Sequence, residues 1–180
     1  MKRTAPILLW LSVCLFSFLS VWSFAQAESD STFQDELLDH LVGKWEVQGT
    51  VHGNPSTQTM EAEWVLNHQF LRIQERSVEN VQGTNSPFEA VFFIGFDDIN
   101  KRYVAHLMTV FGGQMEGLGY GERDENDLTF VFEDSHALIS ERFSWDPESK
   151  TWHIVSWIEK DGKREQPHID LTAKAATETK

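Results

Sequence analysis

Seven histidines, one cysteine and 28 carboxylates are the groups in this chain that could hold a metal or move a proton. The histidines are His40, His52, His68, His106, His136, His153 and His168. No two stand as His-x-His and no His-Glu-x-x-His is present, so none has the spacing that places two imidazoles on one ion. His40 lies near the end of a helical pattern, and His52, His68 and His136 lie at turns, where side chains are solvated. His106, His153 and His168 fall in strands, where a solvated or hydrogen-bonded histidine is the ordinary outcome. The paired carboxylates Glu61/Glu63 and Asp97/Asp98 fit an outward strand face and a turn. There is no Gly-x-Ser-x-Gly elbow, and Gly117, Gly119 and Gly121 alternate within a strand and precede no helix, so they do not cradle a phosphate. Cys14 sits in an N-terminal apolar run and leaves the rest of the chain without a thiol or disulfide. No nucleophile–base constellation stands out, no catalytic residue is assigned, and the chain reads as a binder in preference to an enzyme.

Two arginine sites remain as polar candidates. Arg72, Gln74 and Arg76 share one face of a strand, and Arg142 follows in a later one. Turned inward, Arg72 and Arg142 would orient a carboxylate within a cavity; turned outward they are solvated charges, and the flanking Leu71 and Ile73 favour outward.

The elements that must position these residues begin after an export signal. Lys2 and Arg3 precede an apolar run from Ile7 to Phe24, and Ala25-Gln26-Ala27 has the small-x-small form of a cleavage site. Residues 1–27 read as a secretory signal peptide cut before Glu28; an uncleaved membrane anchor is the alternative. Leu11-Ser12-Val13-Cys14 approaches a lipobox, but Val13 is too large for its position and the apolar run continues beyond it. Cleavage places the protein in the periplasm or outside the cell, with no stable membrane insertion. It also removes two positive charges and no negative ones, taking the formal net charge from −13 to −15. Such a chain repels nucleic acid and anionic membrane surfaces.

Ser31 with Gln34 forms a capping box, and Phe33, Leu37, Leu38 and Leu41 recur at helical spacing, predicting about three turns of amphipathic helix ended by Gly43. From Lys44 onward the apolar period is two. Ten strands are predicted, near 44–52, 57–66, 69–79, 88–96, 102–110, 114–122, 127–133, 137–145, 151–160 and 164–172, joined by short turns and no crossover helix. Short links pair consecutive strands antiparallel, and a meander this long closes on itself to remove its edges. The fold predicted is all-β: a ten-stranded antiparallel up-and-down barrel over residues 28–172, with a short helix covering one end and a disordered tail at 173–180. An α+β cone of the polyketide-cyclase type would need two or more helices before the sheet.

Gly43-Lys44-Trp45 after a short helix resembles the Gly-x-Trp start of lipocalins and related calycin barrels. The wider frame resembles the DUF1579 lipocalin-like domains: Leu41-Val42-Gly43-x-Trp45, Trp64-x-Leu66-x-x-x-Phe70-Leu71, Pro87-Phe88-Glu89, Gly95-Phe96-Asp97 with Lys101-x-Tyr103, and Asp161-Gly162-Lys163 at the last hairpin. It covers about residues 36–172. Where the family often carries Trp-x-Asp after the tyrosine, Leu107 and Thr109 stand here. The resemblance implies a calycin-like barrel and adds little about chemistry.

A barrel of this kind holds a small apolar or amphipathic molecule if its interior is open. The candidate cavity residues are Trp64, Phe88, Phe92, Ile94, Gly119, Trp152 and Ile154. The three glycines of strand six either leave a pocket or are covered by facing aromatics. No cofactor is expected; the alternative is haem, because ten-stranded barrels resembling nitrobindins hold it through one strand histidine near the C-terminus, and His168 is the analogous residue. A filled core serving structure or interaction, and a small hydrolase or isomerase, are the other readings.

Overall fold

The computed structural model describes residues 32–114, 117–133 and 138–177. Within them, large apolar side chains recur at alternate positions and bury one face of each strand. The strands are β1 (Gly43–Val51), β2 (Asn54–Val65), β3 (Phe70–Asn80), β4 (Pro87–Asp97), β5 (Arg102–Thr109), β6 (Gly117–Asp124), β7 (Asp127–Glu133), β8 (Leu138–Asp146), β9 (Thr151–Lys160), β10 (Lys163–Arg164) and β11 (Ile169–Ala175). From β1 to β9 each pairs antiparallel with the next, and β11 lies between β9 and β1, closing the ring. Ten strands make the closed up-and-down barrel that the sequence predicts. β10 is a two-residue ribbon paired with β9.

The inner face is aromatic and aliphatic: Trp45 and Val47 of β1, Leu71 and Ile73 of β3, Phe92 and Ile94 of β4, Phe130 of β7, Phe143 of β8 and Ile154 of β9 are all buried. Phe143 meets Phe92 and Phe130 edge-on, the arrangement that ring quadrupoles favour.

The helix is shorter than the spacing predicts. α1 spans Glu36–Asp39 only, and the expected cap Ser31 lies outside the described residues. Asp35 caps it instead, accepting from the Leu38 N–H, and the same carboxylate accepts from the Tyr103 hydroxyl and from Arg123. That anchorage fixes where helical backbone begins. Phe33 stays outside the helix and packs on Phe96, Tyr103 and Trp64. The plug nevertheless forms: Leu37, Leu38 and Leu41 are buried, and the Trp45 indole N–H donates to the Leu41 carbonyl at 2.7 Å.

The C-terminal strand is longer than predicted. β11 runs to Ala175, paired with Trp45, so residues 173–175 belong to the wall and not to a tail. Alternation alone does not mark these residues, because Ala173 supplies little apolar signal; its register with Val47 and Trp152 places it.

The β2–β3 connection carries three successive left-handed residues, Leu66, Asn67 and His68, with φ of 51°, 55° and 62°. Such backbone is costly for residues other than glycine. The turn is held from the plug side, where the His68 Nδ1–H donates to the Phe33 carbonyl at 2.7 Å and Trp64 stacks on the imidazole.

Candidate functional site

The two ends of the barrel differ. At the plugged end Trp64 donates to Asp39, Trp152 donates to the His40 carbonyl, and Trp145 packs between His40 and Trp152. The indoles of Trp64 and Trp152 are thus occupied by the helix. Of the other predicted cavity residues, Phe92, Ile94 and Ile154 are fully buried in the middle of the barrel, while Phe88, near the open end, is half-buried and faces Phe111.

Gly117, Gly119 and Gly121 face inward, and their missing side chains are replaced by phenylalanines of the next strand. A Cβ built on Gly119 would lie 2.6 Å from the Phe132 ring, and one on Gly121 2.6 Å from Phe130. Of the two outcomes open for this face, the aromatic covering is the one observed.

The unexpected residues are two glutamates. Leu71, Ile73 and Glu75 occupy alternate positions on β3; the first two are buried, so Glu75 takes the inward side, where it is partly exposed. Glu141 stands two residues before buried Phe143 on β8 and is itself 7% exposed. In the closed order, β3 and β8 are five strands apart in either direction, so the two carboxyls come from opposite walls. Glu75 is level with Met60 and Ala90, and Glu141 with Phe130 and Ser156. Among the described residues neither carboxyl has a hydrogen-bond or ion-pair partner. Burial pushes the Glu75 carboxyl up to about 7; burial and then the charge of Glu75 push Glu141 up to about 8. Near neutral pH this pair can donate a hydrogen bond, accept one, or present a negative charge. Gln58 and Ser156, 5% and 1% exposed, are polar neighbours on the same inner surface.

Arg72 and Arg142 are not part of this site. Both lie on the outer face: Arg72 pairs with Glu63 at 2.6 Å, and Arg142 lies over the Trp157 ring, which Arg164 also covers. The alternation set by Leu71 and Phe143 turns them away from the interior.

His168 precedes β11 and is half-buried. Its ring stacks on His52 with centroids 5.4 Å apart, its Nε2 lies 3.4 Å from the Ser156 hydroxyl, and its Nδ1 is buried without a partner. Burial, then the neighbouring His52, lowers its pKa. With one nitrogen against Ser156, the other enclosed and a face covered by His52, the residue does not fit an axial haem ligand. His40, His52, His106 and His153 are exposed, His153 bridging to Asp170 at 2.8 Å, and His136 lies outside the described residues. Among the described residues no three metal-ligating side chains converge.

A groove of 320 Å³ lies on the outer wall, lined by residues that include Phe70, Gly95, Asp97, Arg102, His106 and Tyr120. Its charged groups already have partners: Arg102 lies 3.6 Å from Asp97 and stacks on Tyr120. The interior carboxyls, by contrast, have no hydrogen-bond or ion-pair partner among the described residues.

The sequence matches DUF1579, described as a protein of unknown function, over residues 31–166. The chain belongs to the DUF1579 family. The closed antiparallel barrel of this DUF1579 member is consistent with a lipocalin-like fold. A search of curated proteins found no match. Sequence reasoning missed Glu75 and Glu141, although a signal was present: carrying the parity of Leu71 and Ile73 two residues further, and that of Phe143 two residues back, places both on the inner face.

Proposed function

We propose that this DUF1579 protein is exported to the periplasm or beyond and binds a small amphipathic molecule inside its barrel. The observation that carries the reading is the pair of inward carboxyl groups, Glu75 and Glu141, on opposite walls and without partners among the described residues. Burying an ionisable group without a partner costs stability. Their placement beside Phe88, Phe92 and Phe132 supports a ligand with an apolar body and one polar group. The plugged end is filled by Trp45, Trp145 and Trp152, so the ligand enters from the opposite rim, near Phe88 and Ile169. Export rests on the basic, apolar and Ala-x-Ala segments of residues 1–27.

Native mass spectrometry of protein purified from its own envelope fraction tests both parts. The expected species is a chain beginning at Glu28 with a retained small-molecule adduct, and the adduct is lost in the Glu75→Leu/Glu141→Leu variant. A bare wild-type chain that also fails to bind an apolar fluorescent dye moves the function to a structural or interaction role. A mass that retains residues 1–27 removes the export reading.

A further inference from the structure

We infer that the ligand is an amphipathic cation, an ammonium group on an alkyl or aryl body, held between Glu75 and Glu141; this rests on the interior-binding reading. A charge imbalance on the inner surface supports it. Two carboxyls face the interior from β3 and β8; the inward parity of β9 puts Lys160 beyond Ile158 at the open rim, where it is exposed, and every β9 side chain of that parity below it is uncharged. Arg123, on the inward parity of β6, lies at the plugged end and is engaged by Asp35, which also takes the Tyr103 hydroxyl. At the open end the charged and titratable groups among the described residues include His52, Glu79, Lys160, Asp161, Lys163, Arg164, Glu165 and His168; Glu79 accepts from the Thr57 N–H, Arg164 covers Trp157 on the outer face, and His168 is held toward its neutral form by burial and by His52, with Glu165 opposing. The other side chains level with the acids, Met60, Ala90, Phe130 and Ser156, carry no charge. Glu141 is itself more than nine-tenths buried and has no partner.

Three head groups can be weighed against this surface. A carboxylate or phosphate would be repelled by whichever acid is ionised. A hydroxyl can donate to one acid and accept from the other while that one is protonated, but it brings no charge to offset their ionisation. An ammonium supplies three donors and one positive charge, so a single group can bridge both acids and offset the cost of ionising them in a low-dielectric interior. Binding is then coupled to proton release: the ammonium enters with its charge, a neutral carboxyl gives its proton to solvent, and the carboxylate formed pairs with the ammonium. The body behind the head meets Phe88, Phe92 and Phe132, surfaces suited to an aliphatic chain or a ring.

The test uses the purified chain, an apolar dye bound in the interior, and three probes of one body: n-hexylammonium, 1-hexanol and hexanoate. Near pH 8, hexylammonium should displace the dye at a concentration about tenfold or more below that of hexanol, equivalent to about 1.4 kcal/mol of preference, and hexanoate should be weaker still. Near pH 5, where both acids hold their protons, the preference for ammonium should fall toward parity, and the same loss should appear near pH 8 in Glu75→Gln/Glu141→Gln. Calorimetry near pH 6 in buffers of different ionisation enthalpy should show proton release with hexylammonium and none with hexanol. If wild-type protein binds the dye but hexanol and hexylammonium displace it equally near pH 8, the cation assignment is overturned and the interior-binding reading stands. If folded wild-type protein binds neither dye nor any probe, both are overturned.

Discussion

Glu141→Gln should remove much of the barrel's loss of stability with rising pH. Burial and the charge of Glu75 raise the Glu141 carboxyl from the ordinary 4.5 to about 8 in the folded chain. The native state therefore holds this proton more tightly than the unfolded state does. Stability is undiminished below about pH 4.5, falls as pH rises, and levels off above about pH 8. At 1.36 kcal/mol per unit, the loss at pH 7 is roughly 3 kcal/mol, an upper figure because water entry and side-chain relaxation reduce it. For a domain of this size that corresponds to about 6–12 °C in Tm. A glutamine of the same shape cannot ionise, so its urea-unfolding free energy should be within about 1 kcal/mol of wild type near pH 5 and should exceed it by up to roughly 3 kcal/mol near pH 7. Glu75, raised to about 7, adds a slope of the same sign, which the double glutamine variant removes. Parallel pH profiles for wild type and Glu141→Gln would refute the reasoning: the carboxyl would then be hydrated or paired, and the interior site would lose its foundation.

Trp45→Ala should cost roughly 3–5 kcal/mol in urea unfolding, as the buried indole leaves a cavity and the Leu41 carbonyl loses its donor; a loss below about 1 kcal/mol would mean that α1 does not seal this end. Asp35→Ala should cost more than an ordinary cap, roughly 2–4 kcal/mol, because it strands the buried Tyr103 hydroxyl as well as the Leu38 N–H and removes the Arg123 ion pair. The same variant should bring the Tyr103 phenol, held up to about 12 by burial and then by Asp35, back toward its ordinary value in a spectrophotometric titration. Gly119→Phe should destabilise the barrel severely, by more than about 3 kcal/mol, since the new ring needs the space of Phe132; a variant as stable as wild type would show that Phe132 swings into vacant volume.

The wall of the barrel was legible because its signal is local. Alternation with period two, short turns and the absence of a crossover helix lead to one closed meander. The plug was legible in kind but not in length, because helical spacing at Phe33, Leu37 and Leu41 does not reveal that Asp35 is tied to Tyr103, 68 positions away. The aromatic covering of strand six was half legible: the sequence shows three bare positions, and only the register that sets Phe132 beside Gly119 and Phe130 beside Gly121 decides what fills them. The acid pair was hidden by composition. Glu75 stands in Arg72-Ile73-Gln74-Glu75-Arg76 and Glu141 beside Arg142, runs that look solvent-facing when read by polarity. Parity assigns the faces correctly, and it turns the arginines outward and the glutamates inward.

The order of the strands also governs when this molecule can exist. The ring shuts through β1 and β11, with Trp45 opposite Ala175 and Val51 opposite Ile169. Nine strands can line up as hairpins while the chain is still being delivered, yet β1 and β9 remain open ladders until the final segment arrives. Closure therefore waits for Ile169–Ala175, and contacts of such long sequence separation form slowly. During that interval two bare edges are available to pair with other chains. Trimming the chain before Ile169 would make the interval permanent, so β11 decides whether the product is a closed ring or a sheet with two sticky edges.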